Sequence, residues 1–211
     1  MPRIALAILT LVALAVTCPA QDDFAPKRFY LQVPIVTGGQ AAAVIVAPEG
    51  EEYQAIAVRV REVVREASGV ELEIVPPEEA LPERWVAGAS FILLGRLGDS
   101  VAVDALYRQH YVVTDAAWPG ESGYVVRTVH DPYGTGACGV FLGSSDLAGV
   151  ARAAEEFAAL LRAGDDIAMP HTIAVEGSAI AAPLTPAAAD GIIATLAKAN
   201  FRLVGSRASG G

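Results

Sequence analysis

Two stretches of the chain have the spacing of amphipathic helices, with apolar side chains every three or four positions and charged side chains mostly on the other face. The first predicted helix begins near Glu51 and stops at Gly69. The second is capped by Ser144 or Ser145 and closes at Gly164. The apolar positions of the first are Tyr53, Ile56, Ala57, Val60, Val63, Val64 and Ala67; those of the second are Leu147, Val150, Ala151, Ala154, Phe157, Ala158 and Leu161.

Other stretches have the alternating or continuous apolar pattern of strands. Residues 29–36 and 41–46 flank a glycine-containing turn, which predicts a β-hairpin. Residues 90–95 form a continuous apolar run, as expected for a strand that is covered on both faces. Further elements are predicted as strands at 70–75, 123–130 and 138–142, the last two antiparallel around a turn, and as a weaker helix at 100–109.

Because strands and helices alternate while two hairpins interrupt a purely parallel order, the sequence predicts an α/β fold of the α+β sandwich type. We expect a mixed β-sheet with the two main amphipathic helices packed mostly on one face.

The N-terminus has the features of an export signal. Arg3 precedes an uncharged apolar run at 4–16, and Cys18-Pro19-Ala20 forms a small-residue cleavage site. This run is shorter than the roughly 20 residues that a membrane-spanning helix needs. Cleavage after Ala20 is favoured over lipidation of Cys18, and both routes predict an exported protein, periplasmic or extracellular, with no transmembrane span in the mature chain.

These patterns divide the chain into a signal peptide at 1–20, a leader at 21–28, an α/β domain at 29–176 and a C-terminal part at 177–211. The C-terminal part has a linker, a short predicted helix from Thr185-Pro186 to about Ala199, and a Ser/Gly tail. It is too short to bury its own apolar face. We therefore expect it either to dock on the main domain or to begin a further domain.

The net charge argues against one class of partner, and the cysteine content argues against a disulfide framework. The formal net charge is −9 and no basic stripe is present, so a nucleic acid is not expected to bind. Cys138 is the single cysteine that remains after cleavage at Ala20, which leaves no internal disulfide framework. Its apolar neighbours favour a small buried side chain over a reactive thiol.

No catalytic, cofactor-binding or metal-binding residue is assigned from sequence. There is no Gly-x-Ser-x-Gly elbow, phosphate-binding Walker loop or His-Glu-x-x-His motif. The histidines have no ligand-like spacing, and the paired carboxylates are interpreted as solvated surface charges. These residues are His110, His130 and His171, and the acidic pairs Glu62 and Glu66, Glu78 and Glu79, and Asp165 and Asp166.

Two other groups of residues have a functional alternative to their structural role. The run from Gly143 to Asp146 could hold an anion before a helix, although its serines are first expected to cap that helix. A set of loop aromatics could stack on sugars, although core or edge packing is the preferred interpretation. The set comprises Trp85, Tyr107, Tyr111, Trp118 and Tyr133.

Five segments in this order, at residues 43–48, 67–72, 91–95, 123–129 and 140–150, resemble a known kind of domain. It is the small N-terminal domain that precedes the catalytic barrel in family 67 α-glucuronidases and family 20 β-hexosaminidases. The match covers roughly residues 29–164. In those enzymes the domain is an α/β sandwich packed against the barrel, and the catalytic carboxylates lie on the barrel, so the resemblance carries over no catalytic residue and implies no cofactor.

The resemblance implies a non-catalytic accessory domain of a secreted carbohydrate-active system, of the glycoside hydrolase or polysaccharide lyase type. Its partner would be a catalytic domain in cis or in trans, and a polysaccharide is a second expected partner. A free-standing exported glycan-binding module and a small hydrolase with an unrecognised site are the alternatives.

Overall fold

A computed structural model describes residues 32–82 and 89–177, which form two β-sheets and three α-helices. The strands are β1 (Gln32–Thr37), β2 (Gln40–Ala41), β3 (Ala43–Val46), β4 (Ile74–Val75), β5 (Ser90–Gly95), β6 (Tyr124–Val129), β7 (Gly139–Gly143), β8 (Ile167–Pro170) and β9 (Ile173–Glu176). The helices are α1 (Glu51–Ser68), α2 (Val101–Arg108) and α3 (Leu147–Leu160), with a 3-10 turn at Pro77–Ala80. The predicted signal peptide, leader and C-terminal helix, and Trp85, lie outside the described residues.

The larger sheet has six strands in the order β4-β3-β5-β7-β6-β9. Strands β4, β3, β5 and β7 are parallel, whereas β6 is antiparallel to both β7 and β9. The smaller sheet is antiparallel in the order β2-β1-β8. The predicted mixed α/β fold is therefore confirmed.

Strand β5 is buried along its whole length and divides the apolar core into two layers. Ile92 and Leu94 face the layer formed with α1 and α3, while Phe91 and Leu93 face the layer formed with α2. Each such side chain, fully buried, stabilises the fold by roughly 1.5–3 kcal/mol. The two main helices thus lie on one face, as expected, and α2 covers the other.

The predicted hairpin is present, but its second strand is divided. Gly38 and Gly39 occupy the turn with φ of 57° and 69°, values that favour glycine, and Val36 pairs with Ala41. After Ala42 the chain leaves the smaller sheet, and β3 becomes a parallel strand between β4 and β5. The prediction of one strand over 41–46 is therefore wrong, because the apolar side chains of β3 are buried most fully in the interior of the larger sheet.

The expected serine cap of α3 is also wrong, because Asp146 has this role and its Oδ1 accepts the amide hydrogen of Gly149 at 2.7 Å. Ser144 is buried and donates its hydroxyl to the carbonyl oxygen of Gly123. Ser145 accepts the amide hydrogen of Gly120 at 3.0 Å. The two serines bond to the loop before β6, which leaves the aspartate to cap the helix.

The end of α1 agrees with the sequence prediction: Gly69 has φ of 77° and donates its amide to the carbonyl oxygen of Arg65. In the described ranges no helix has the length and apolar character required to cross a bilayer.

The close contact of β5 with β7 gives a first prediction. Gly139 lies opposite Phe91, and a Cβ atom at Gly139 would overlap the Phe91 ring. We expect Gly139→Ala to lower the free energy of unfolding by about 1–3 kcal/mol, measured by urea denaturation. At Gly164 a Cβ would meet its nearest atom at 3.4 Å, so Gly164→Ala is the matched control. Equal stability of the two variants would contradict the packing of Phe91 over Gly139.

Candidate functional site

The carboxyl ends of β3, β5 and β7 meet at one edge of the larger sheet, because these strands are parallel. After β5 the chain turns to α2 on one face of the sheet, and after β7 it turns to α3 on the opposite face. The loops that follow two adjacent strands therefore diverge. In open α/β sheets a crevice at such a point is the usual position of a ligand site.

A cavity of about 120 Å³ occupies this position, and we call it the β5–β7 crevice. The residues around it come from the loop after β5, the loop after α2 and the loop after β7. They are Arg96, Leu97, Asp99, Asp115, Ala116, Ser144 and Ser145.

An ion pair forms the β5 side of the crevice. The Nε of Arg96 lies 2.5 Å from Oδ2 of Asp99, and the hydroxyl of Tyr53 donates to the same oxygen at 3.1 Å. Burial, together with the negative charge of Asp99, raises the pKa of Tyr53 well above its usual range. The phenol therefore stays protonated and holds the carboxylate in place beside the start of α2.

Asp115 forms the opposite wall and fixes its own loop. Its Oδ1 accepts the amide hydrogens of Ala117 at 2.7 Å and Trp118 at 2.9 Å. Further along this loop, Ser122 donates its amide to Oδ2 of Asp146 at 2.8 Å. The loop is thereby tied to the beginning of α3, and hydrogen bonds hold both the Asp99 wall and the Asp115 wall of the crevice.

Two of the three histidines come together, which the sequence spacing did not indicate. His130 Nε2 lies 2.9 Å from His171 Nδ1, and the two rings are stacked with centroids 5.1 Å apart. The contact arises because β9 pairs with β6, which brings residues far apart in sequence to the same end of the sheet. His110 lies at the end of α2 with φ of 61°. Among the described residues no group of three or more His, Cys, Asp or Glu side chains could hold a metal ion.

The acidic pairs singled out from sequence lie on separate elements and are exposed. Glu62 and Glu66 are on α1, and Glu78 and Glu79 are in the 3-10 turn. Asp166, next to Asp165, accepts the amide hydrogen of Gly38 at 2.5 Å and so supports the β1–β2 turn.

The two acids that share a cavity are instead Asp99 and Asp115, which sequence reasoning missed. Each already accepts hydrogen bonds from protein donors, as structural carboxylates do. Cys138, as expected, is buried.

The loop aromatics within the described residues pack against one layer of the core. Tyr107, Tyr111, Trp118 and Tyr133 are all half-buried against the apolar layer on the α2 side of the sheet. These residues pack against the core, as expected, and each of them keeps an accessible part.

Comparisons with known proteins give weak similarities in structure. A mutant β-hexosaminidase from Streptomyces plicatus is similar over 72% of this chain and 24% of its own, with 13% identity and a TM-score of 0.41. A family 20 β-N-acetylhexosaminidase from Streptomyces coelicolor is similar over 71% of this chain and 24% of its own, with 12% identity and a TM-score of 0.41.

The chain thus spans about a quarter of the length of these enzymes. A likeness at this level says nothing about ligand or activity. No family model matches the chain, and no curated protein matches it in sequence.

The raised pKa of Tyr53 predicts a pH dependence of stability. In the unfolded chain a phenol titrates near pH ~10, so this group stabilises the fold below that pH and loses its contribution as the pH rises above it. We expect the free energy of unfolding to fall less steeply above pH ~10 in Tyr53→Phe than in the parent chain, as measured by urea denaturation. Tyr111→Phe, which removes a phenol elsewhere, serves as control. An unchanged slope in Tyr53→Phe would show that this hydroxyl is not held in its protonated form.

Proposed function

We propose that this chain is a non-catalytic accessory domain of an exported carbohydrate-active system. In this proposal residues 1–20 direct export, residues 29–176 form the domain, and the domain docks on the polypeptide that follows it toward a catalytic domain in cis. The order of sequence segments that resembles the N-terminal domain of family 67 α-glucuronidases and family 20 β-hexosaminidases supports the carbohydrate assignment. The structural observation that carries the docking role is an exposed apolar strip on β9.

Strand β9 is the last strand at its end of the larger sheet. Ile173 and Val175 are 60% and 46% exposed, and we call them the β9 strip. They lie opposite Arg127 and Val125 of β6, so their side chains point to the α2 side of the sheet. Edge strands of free-standing proteins are usually protected by charged residues or proline, whereas an apolar edge favours a partner.

The described part of the chain ends beside this strip, and contacts of Glu176 and Gly177 hold it there. Arg152 contacts Oε1 of Glu176 through Nη2 at 2.5 Å and donates from Nη1 to the carbonyl oxygen of Ser122 at 2.8 Å. A Cβ at Gly177 would overlap the carbonyl oxygen of Pro119, so the exit is also closely packed. Gly177, the last described residue, is therefore held next to the β9 strip.

The occupant that we propose is the segment 178–211 of this chain. Its sequence contains Ile192, Ile193 and Leu196 at three- and four-residue spacing, which is the spacing of an apolar helix face. Because the segment begins beside β9, its effective concentration at the strip is high and it has an advantage over partners in trans. This contact would make the joint between the domain and the rest of the enzyme.

Hydrogen exchange of the full chain tests the docking. We expect the amides of residues 185–199 to be protected, and Ile173→Asp with Val175→Asp to remove this protection, because a charge would replace each apolar contact. Val113→Asp, at another exposed apolar residue, is the matched control and leaves the protection unchanged.

Exchange of residues 185–199 that is fast in the parent chain, or that is unaffected by the β9 substitutions, would contradict the proposed docking. Turnover of chromogenic aryl glycosides by the full chain would contradict the non-catalytic role.

A second candidate function, a glycan-binding module, is favoured by four aromatic side chains that pack against the same apolar layer on the α2 side. Each is half-buried against the same layer, and stacking on sugars requires ring faces that are held in place but accessible.

If this function holds, xylan and cellulose oligosaccharides change the tryptophan fluorescence of the chain in a saturable way, and Trp118→Phe reduces the change. Tyr124→Phe, at a ring that packs in the layer formed with α1 and α3, is the control. The absence of any saturable change would eliminate this candidate.

A further inference from the structure

The β5–β7 crevice has polar groups with capacity left for a ligand. Asp115 uses Oδ1 for two backbone amides, and its Oδ2 makes no hydrogen bond within the described part of the chain. Ser145 accepts from Gly120 through Oγ, which leaves its hydroxyl hydrogen to be donated. The guanidinium of Arg96 contacts Asp99 through Nε and also interacts with the Tyr53 hydroxyl, and its side chain is 38% exposed, so the exposed part of the guanidinium adds a donor. The crevice therefore combines one strong acceptor with two kinds of donor.

The charges around the crevice select the class of ligand. Arg96 carries one positive charge, whereas Asp99 and Asp115 carry two negative charges. An anionic ligand that reached Arg96 would also meet these carboxylates, and a cation would meet the guanidinium. A neutral group with adjacent hydroxyls is repelled neither by the carboxylates nor by the guanidinium, and each of its hydroxyls both donates and accepts a hydrogen bond. It can donate to Asp115 while it accepts from Arg96 and Ser145.

The size of the crevice limits how much of a ligand can enter. A volume of about 120 Å³ has room for only a few water-sized groups. It would take one edge of a sugar ring and not a stretch of polysaccharide.

We infer that the β5–β7 crevice binds the hydroxylated edge of a single neutral sugar, with Asp115 as acceptor and Arg96 and Ser145 as donors. This site is separate from the β9 strip and goes beyond the proposed docking role. It also differs from the aromatic platform, because it recognises hydroxyl groups and not a ring face.

A titration followed through the backbone amide resonances of the full chain tests this inference. The probes are xylose, glucose and N-acetylglucosamine, with glucuronate as the charged comparison. We expect saturable shifts at residues 96–99, 115–118 and 145 with at least one neutral sugar, and weaker shifts with glucuronate, because Asp115 repels a carboxylate.

Asp115→Asn is the main variant, since it keeps Oδ1 for the backbone amides and exchanges the free acceptor for a donor. We expect the dissociation constant to rise about tenfold or more. Asp165→Asn, at an exposed acid outside the crevice, is the control and leaves binding unchanged. If Asp115→Asn unfolds, Ser145→Ala replaces it, and a weaker dissociation constant is again expected.

Three results would overturn the inference: no saturable shift with any neutral sugar, tighter binding of glucuronate, or unchanged affinity in a folded Asp115→Asn or Ser145→Ala variant. None of these results bears on the β9 strip, which hydrogen exchange at residues 185–199 reports separately. The two proposals can therefore fail independently.

Discussion

The fold depends on covering both faces of the parallel strands β3, β5 and β7. Strand β5 has no exposed residue, so the side chains on both of its faces must be buried. One layer of helices covers only one face and cannot achieve this. Helices α1 and α3 cover one face and α2 covers the other. The divergence of the chain after β5 and β7 follows directly from this requirement. The crevice at their carboxyl ends is thus a consequence of how the core is completed.

The same requirement explains why the surface differs along the sheet. The covering helices pack over the centre, while β9 lies at the margin and keeps two β-branched side chains exposed. Because β9 is also the last described strand before the C-terminal segment, its apolar side and the exit of the chain coincide. The proposed docking surface lies at a margin of the sheet where two apolar side chains stay exposed.

Local patterns were sufficient to predict the elements that make most of their contacts through one periodic face or a continuous apolar run. Helix α1 and strand β5 were predicted on these grounds, and so was the pairing of β6 with β7 around a glycine-rich turn. The division of residues 41–46 into β2 and β3 could not be predicted, because an apolar run suits a hairpin and a buried parallel strand equally. Strands β8 and β9 were missed because they are only four residues long and flank a short corner at His171.

The candidate sites were harder to predict, since each of their residues has an ordinary local role. Asp115 looks like a turn residue and Ser145 like a helix cap, and in the structure each does support backbone amides. Only the strand order brings Arg96, Asp115 and Ser145 around one cavity. His130 and His171 show the same limit, because their contact is created by the pairing of β6 with β9 and by nothing in their spacing.

The crevice and the exit strand are joined through the start of α3. Asp146 caps this helix with Oδ1 and holds the amide of Ser122 with Oδ2. Six residues later in the same helix, Arg152 donates to the carbonyl oxygen of Ser122 and to the carboxylate of Glu176. The loop that carries Asp115 and the strand that carries the β9 strip are therefore positioned by the same helix end. A rigid connection of this kind keeps both surfaces in a fixed relation. Coupling between them would require α3 to have a second arrangement. Val150 and Phe157 of α3 are fully buried, which favours a single arrangement of this helix.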